Sequence, residues 1–388
     1  MNEPRSRGGS LIAGIVATIA VTAYVIALLA VESQLEILIL LAGGVAVVLA
    51  AARFGVLARV GEGLAQRENA LYLLAVLGVV LATAFFHEDH FILLMIATVI
   101  LYVLATLGLN VQFGFTGVLN FAGASFFGVG CYTAAVLTMH TAVPHILVLL
   151  IGGLMAALIG SILLLPVLRT SGHYAAVVTI AFALLFKTFL EVNDVLGGPQ
   201  GLRVAGMNLF GWEFNDNIEI GENLELSFYV NYIVLALILL GIAFMVVRRL
   251  ERSWIGLNLD AVRLDDTAAA CFGLNIARWK ITAFTIGNFL IGVAGALYAM
   301  MLGFIAPTNF TFGDSLILVS IVLLGGIGNV WGLVVATTIV IILPEKLQAI
   351  QEFRFLLYAG MVILILLFRP EGLLPRPLRK YFPGLQPR

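Results

Sequence analysis

The sequence predicts an all-α, polytopic helical membrane protein with roughly ten to twelve hydrophobic segments, some of them broken by glycine. Three observations lead there. Of 388 residues, 61% are hydrophobic and only 11% charged, where a soluble domain would carry about a quarter charged residues. Mean hydropathy is +1.08. Apolar runs long enough to cross a bilayer, about 20 residues each, recur along the chain between short polar turns. A net charge of −1 supports no nucleic-acid partner.

Leu11–Val31 and Leu35–Ala52 are the first two apolar runs, joined by Glu32-Ser33-Gln34. The first is too long for a signal-peptide core. A loop with Arg53, Arg59 and Arg67 leads to Leu71–Phe86, and His87-Glu88-Asp89-His90 follows. The two histidines lack a third metal ligand nearby, which favours a wet turn. Phe91–Val111 ends in a polar, glycine-rich run holding Asn110, Gln112, Gly117, Asn120, Gly123 and Ser125, which leads into Phe126–Leu137. Two readings are open: a broken segment beside a pathway, since irregular backbone at membrane depth must be buried or line a cavity, or a close helix contact made by small residues.

His145–Leu168 is closed by Arg169, and His173–Val192 carries Lys187 and Glu191 at i,i+4 spacing. These can pair or snorkel at a helix end. The longest polar stretch, Asn193–Ser227, holds Glu213, Asp216, Glu219, Glu222 and Glu225 against the single base Arg203. Phe228–Val247 and Ile281–Leu302 flank a basic segment, and Asn288 lies inside the second. Ser315–Leu324 is too short to cross alone. It breaks at Gly325-Gly326-Ile327-Gly328-Asn329 and continues as Val330–Leu343. Phe353–Phe368 and a basic, proline-rich tail end the chain. Cys131 and Cys271 fall at different depths, so no disulfide is expected.

The basic segment Arg248–Lys280 is the stretch around which the rest is arranged. Asn258 or Asp260 can cap a short helix there. Val262, Ala269 and Phe272 fall near one face, and Gly273 stands where a left-handed cap is needed. The small-residue run Ala268-Ala269-Ala270 would let such a helix approach a soluble partner closely; a solvated loop is the other reading. On one threading, Lys/Arg bias puts Arg5, Arg7, the Arg53–Arg67 loop, Arg169, this segment and the tail in the cytoplasm, and the acidic 193–227 loop outside. Both termini are then cytoplasmic. The sequence has no GxxxxGK[ST] run, and no catalytic arrangement is evident in a span. The intramembrane polar groups are mostly neutral, which argues for an external energy source over ion coupling.

The run RSWIGLNLDAVRLDDTAAACFGLNIARWK resembles the cytoplasmic loop of branched-chain amino-acid ABC permeases of the LivM-type subunit. GLNVQFGFTGVLNFAGASFFGVGCY, GGPQG at Gly197–Gly201, LLGGIGNVWG at Leu323–Gly332 and FRPEGLL at Phe368–Leu374 resemble further runs of that family. The likeness covers about Phe91 to Leu374. Leu264 and Leu333 depart from the pattern: another acidic or polar residue and a proline are usual there.

The resemblance implies an ATPase-coupling loop at Arg252, Gly256, Arg263, Asp266, Ala268, Ala269, Gly273 and Lys280. The pathway or packing candidates are Asn110, Gly117, Asn120, Gly123, Ser125, Gly325, Gly326 and Gly328. The resemblance implies a permease core over 91–374; the N-terminal spans and basic loop over 1–90 lie before it, the first two spans outside the clear likeness, and a basic cytoplasmic tail over 375–388 follows. No cofactor or metal is expected in this chain; ATP would act in two cytosolic ATPase subunits. A second homologous permease subunit, an extracytoplasmic substrate-binding protein and inner-membrane lipid are the other expected partners. Urea or short amides are the alternative cargo. An ion-coupled secondary carrier is the alternative class of transporter, and a membrane enzyme would need an acid–base pair that the sequence does not offer.

Overall fold

The computed structural model describes residues 7–31, 33–53, 68–168, 174–209, 211–219 and 225–346, with isolated positions between 353 and 374. The Arg59 and Arg67 loop positions, Arg169, most of the Phe353–Phe368 run and the tail lie outside these. Three helices come first: α1 (Arg7–Ala30), α2 (Gln34–Arg53) and α3 (Glu68–Phe85). Then come α4 (His90–Thr116), α5 (Gly123–His140), α6 (His145–Leu168) and α7 (Tyr174–Val192). After the 193–228 loop follow α8 (Tyr229–Arg252), the short α9 (Trp254–Leu264) and α10 (Asp266–Cys271), and α11 (Ile276–Leu302). The last two described are α12 (Phe312–Gly325) and α13 (Val330–Lys346).

Among the described residues five helical stretches are long and apolar enough to cross a membrane. They are α4, α6, α8, α11 and α12 with the turn before it; the 85° bend after α7 makes a sixth if that pair is one span. The glycine breaks bound α5 at 18 residues and α13 at 17. The protein is a multi-pass helical membrane protein. Its exposed apolar side chains fall in stripes, such as Leu150, Leu154, Leu158 and Ile162 on α6. This i,i+4 stripe suits contact with hydrocarbon.

Helix α11 is the centre, packed against α4, α5 and α6. Glycines make this possible. A Cβ on Gly130 of α5 would fall on the Gly292 carbonyl of α11, and Cβ atoms on Gly108 and Gly287 would each fall on the other's carbonyl. The backbones therefore touch, and dispersion between them replaces side-chain interdigitation.

One end of the bundle gathers the loops before α4, before α6, after α7 and after α11. The 193–228 stretch is built there from two 3-10 turns and short strands. β1 (Leu202–Arg203) pairs with β6 (Phe304–Ile305); β2 (Asn208–Leu209) with β3 (Trp212–Glu213); β4 (Ile218–Glu219) with β5 (Glu225–Leu226). Tyr232 fastens this loop to α11: its hydroxyl accepts from Met207 N–H at 3.0 Å and meets the Met300 carbonyl at 3.0 Å and Asn215 Oδ1 at 2.7 Å. His90 bonds Ser227 Oγ at 2.6 Å, which gives that histidine a structural partner in the loop. Lys187 and Glu191 pair at 3.3 Å, so the pairing reading holds for α7. Lys346, at the end of α13, donates to the Leu29 and Val31 carbonyls at the end of α1.

Candidate functional site

The basic segment forms two helices, where the sequence suggested one. Asn258 and Asp260 lie inside α9, and the helix start falls at Asp265. Its Oδ1 accepts from Thr267 and Ala268 N–H at 2.8 and 2.9 Å, satisfying two free donors of α10. An acidic cap cannot sit inside a continuous helix without breaking its backbone, and Asp265 is accordingly extended (φ −159°, ψ 107°). Gly273 (φ 84°) closes α10, with its N–H on Ala270 O and Leu274 N–H on Ala269 O.

The shared face fails at one residue. Val262 and Ala269 are buried, but Phe272 is 88% exposed. Because Phe272 is the cap of α10 and Val262 belongs to α9, one helical period does not connect them. Leu264 is 85% exposed as well. The segment thus presents two large apolar side chains with Thr267, Ala268 and Ala270 exposed on the helix between them. Ala269 faces into this chain, not outward.

Several ties hold the segment rigidly. Lys280 of α11 pairs with the Asp266 carboxylate. Trp254 packs edge-on against Trp279, ring centroids 5.5 Å apart. Asn275 caps α11 through Arg278 N–H at 3.0 Å. A Cβ on Gly256 would fall on the Glu251 carbonyl, so the α8–α9 corner needs glycine. Arg252 ends α8, where a cation complements the helix dipole.

Arg263 reaches out of this segment. Its Nη1 donates to the Gly114 carbonyl in the last turn of α4, at 3.0 Å. Three residues on, Gly117 (φ 69°) ends α4, with its N–H on Phe113 O and Val118 N–H on Gln112 O. The chain then runs irregularly to Gly123, where α5 begins. Val118, Asn120 and Ala122 of this stretch are buried, and the Phe121 and Ala122 N–H groups donate to Thr179 Oγ1 and Asn120 Oδ1. Gln112 Nε2 donates to Asn288 Oδ1 (2.9 Å), Asn120 Nδ2 donates to Gln112 Oε1 (2.8 Å), and Asn120 Oδ1 accepts from Ala122 N–H (2.9 Å). All three amide side chains are fully buried. Both open readings are therefore realised together: the segment is broken, and it is also tightly packed.

The second break meets the first. Gly326 (φ 106°) and Gly328 (φ 86°) turn the chain between α12 and α13, and Asn329 Oδ1 caps α13 through Trp331 N–H at 3.0 Å. Asn110 Oδ1 accepts from Gly328 N–H at 2.8 Å, and a Cβ on Gly114 would lie 2.8 Å from Gly328 Cα. Gly325 and Gly332 touch backbone to backbone. The C-terminal run returns here too: Leu373 and Leu374 N–H donate to the Leu324 and Gly325 carbonyls at 2.8 and 3.2 Å. Three glycine-containing runs, far apart in sequence, thus converge beside Arg263.

The family model for the branched-chain amino acid transport system permease component matches residues 91–368. The chain belongs to this family. Its similar relatives include the high-affinity branched-chain amino acid transport system permease protein LivM of Salmonella typhimurium, 33% identical over 329 residues, covering 81% of this chain and 77% of that protein. The LivM protein of Escherichia coli K12 is 34% identical over 318 residues (79% and 75%). The probable LivM protein of Methanocaldococcus jannaschii is 23% identical over 333 residues (71% and 90%). No solved structure matches the chain.

In this permease the candidates of the basic segment and of the two breaks form one continuous arrangement, with Arg263 as the link. Gly123 packs against Leu318 and Leu109, and Ser125 is buried beside it in the first turn of α5. Gln112 and Asn288, which complete the buried network, were not among the site candidates. Their only sequence signal was a polar amide within an apolar span; the 176 positions between them concealed the pairing.

Proposed function

We propose that this permease is the translocation subunit of an ABC importer for branched-chain amino acids, working with a homologous permease subunit, two cytosolic ATPases and an extracytoplasmic binding protein. The α9–α10 segment then faces the cytoplasm of an inner-membrane protein, and the 193–228 loop faces outside. The observation that carries this reading is the pair of exposed apolar side chains at the two ends of α10, Leu264 before it and Phe272 after it, in a segment joined through Arg263 to the broken helices. A soluble partner that binds there pulls directly on the backbone at membrane depth, so ATP-driven closure of that partner can bias two arrangements of the breaks. The buried polar groups described at the breaks are amides and hydroxyls, which carry no charge for an ion gradient to act on. The printed names of the LivM relatives supply the cargo class.

The test is Phe272→Asp in the assembled importer. Phe272 is exposed in the free chain, so folding and insertion are expected to survive. Placing a carboxylate at an apolar interface anchor weakens retention of the ATPase by about 30-fold or more. Undiminished co-purification of ATPase, together with wild-type uptake of leucine, would remove the support for α10 as the docking element.

A further inference from the structure

Between α4, α5, α11 and α12 lies a partly open cavity of about 260 Å³. Its two ends differ chemically. At the end beside the 193–228 loop it is lined by Thr308, Asn309 and Asp314. Deeper in, its walls are Phe127, Tyr298 and Leu318. The rings of Phe127 and Tyr298 stand 5.2 Å apart, and Tyr102 completes the aromatic cluster at 6.2 Å from Tyr298. Leu318 also packs on Gly123, so the floor of the cavity is the start of α5 just beyond the first break. Among the described residues, Asp314 is the only charged one in the lining. Its Oδ2 accepts from Thr311 N–H and Oγ1 at 3.0 and 2.6 Å, which fixes the carboxylate at the cavity mouth.

We infer that this cavity is a substrate subsite that takes a zwitterionic amino acid with an aliphatic side chain, bound head outward. The inference rests on the importer reading above and places its cargo within this chain. The match is one of polarity along an axis. A carboxylate at the mouth complements an α-ammonium, and the Asn309 amide and Thr308 hydroxyl can donate to an α-carboxylate. The aromatic and leucine walls take up an alkyl chain, at roughly 25 cal/mol for each Å² removed from water. The volume falls below the 300–1,000 Å³ typical of drug-sized ligands, as suits one small amino acid and excludes a peptide. Urea has no apolar end to fill the inner half, a short amide has no ammonium to meet Asp314, and a sugar would bring hydroxyls against the rings without partners. The subsite opens at the end opposite α10, where a binding protein would release its ligand on the proposed orientation. Its floor abuts the break that Arg263 contacts.

The experiment compares variants in the complete importer, reconstituted in proteoliposomes with its ATPases and binding protein, using leucine as cargo. Asp314→Asn keeps the side-chain volume and the acceptor for Thr311 while removing the charge. Its leucine transport rate at subsaturating loaded binding protein is expected to fall about tenfold or more. ATPase retention should be unchanged. Thr311→Ala breaks the same capping box but leaves the carboxylate, and should keep transport within about threefold. A purely structural role for Asp314 predicts equal losses in the two, and that result overturns the subsite. Leu318→Trp fills the inner half and should block leucine while the complex still assembles; should it fail to assemble, the Asp314/Thr311 comparison decides alone. Wild-type transport in Asp314→Asn also overturns the subsite. A wild-type importer that moves no leucine with ATP would instead overturn the importer reading.

Discussion

Arg263 donates a hydrogen bond from the α9–α10 segment to the last turn of α4, and cutting it tests how force passes between them. Arg263→Met keeps the apolar stem that lies beside Gly117 and removes the donor to the Gly114 carbonyl. A hydrogen bond from a charged group contributes about 1.5–3 kcal/mol when well shielded. Arg263 is substantially exposed as a residue, so water competes, and about 1 kcal/mol is the appropriate scale. As a coupling free energy this amounts to roughly a fivefold change. Because Arg263 reaches toward α4 and the change leaves Leu264 and Phe272 in place, ATPase retention and basal hydrolysis should hold. The quantity to measure is leucine transported per ATP hydrolysed in proteoliposomes, expected to fall about fivefold in Arg263→Met, with part of the loss recovered in Arg263→Lys. An unchanged ratio in Arg263→Met would show that the segment and the break move independently and would refute the link.

The buried amide network should prove costly to interrupt: Gln112→Leu removes the amide that bridges Asn120 and Asn288 and leaves between them only a 3.4 Å contact. About 1–3 kcal/mol per group so weakened should appear as a lowered unfolding temperature in detergent. Glycine at the breaks divides into two kinds. Gly332→Ala drives a Cβ onto the Gly325 carbonyl and should sharply reduce the amount of folded protein recovered. Gly117→Ala meets only Arg263 Cγ, at ordinary contact distance, and should cost only the left-handed backbone penalty, about 1–2 kcal/mol, seen as a modest shift in the same melt. Asp216→Cys, in a Cys271→Ser background, should react with a membrane-impermeant thiol reagent on intact cells; labelling only after permeabilisation would reverse the proposed orientation.

Much of the architecture was legible because the bilayer is a simple solvent. Apolar runs marked the helices, and Gly117, Gly326 and Gly328 marked the turns, since only glycine tolerates positive φ without strain. The Gly273 cap was legible for the same reason. The division of the basic segment was not. Asp265 sits within a continuous helical period, and only its extended backbone and its two N–H bonds reveal it as a cap. Ala269 read as a contact residue because small side chains suit any close approach; that it is buried within its own chain is a fact of tertiary packing. The convergence of the two breaks with Leu373 and Leu374 was hidden for a like reason, because spacing along a chain carries no information about which distant backbones will touch. The 193–227 stretch looked like plain polar loop. Its hairpins are two residues long on each strand, too brief for an alternating pattern to register.

The glycine contacts of α11 set the clearances of the machine. Where Gly130 meets Gly292 and Gly108 meets Gly287, no side chains stand between the helices to act as bearings. Helices in such contact cannot slide or roll past one another without driving carbonyl oxygens into backbone. The α4–α5–α6–α11 block therefore moves as one casting during a transport cycle. Whatever opens and closes must be hung on its outside: the α12–α13 elbow, the 117–122 turn and the α9–α10 lever.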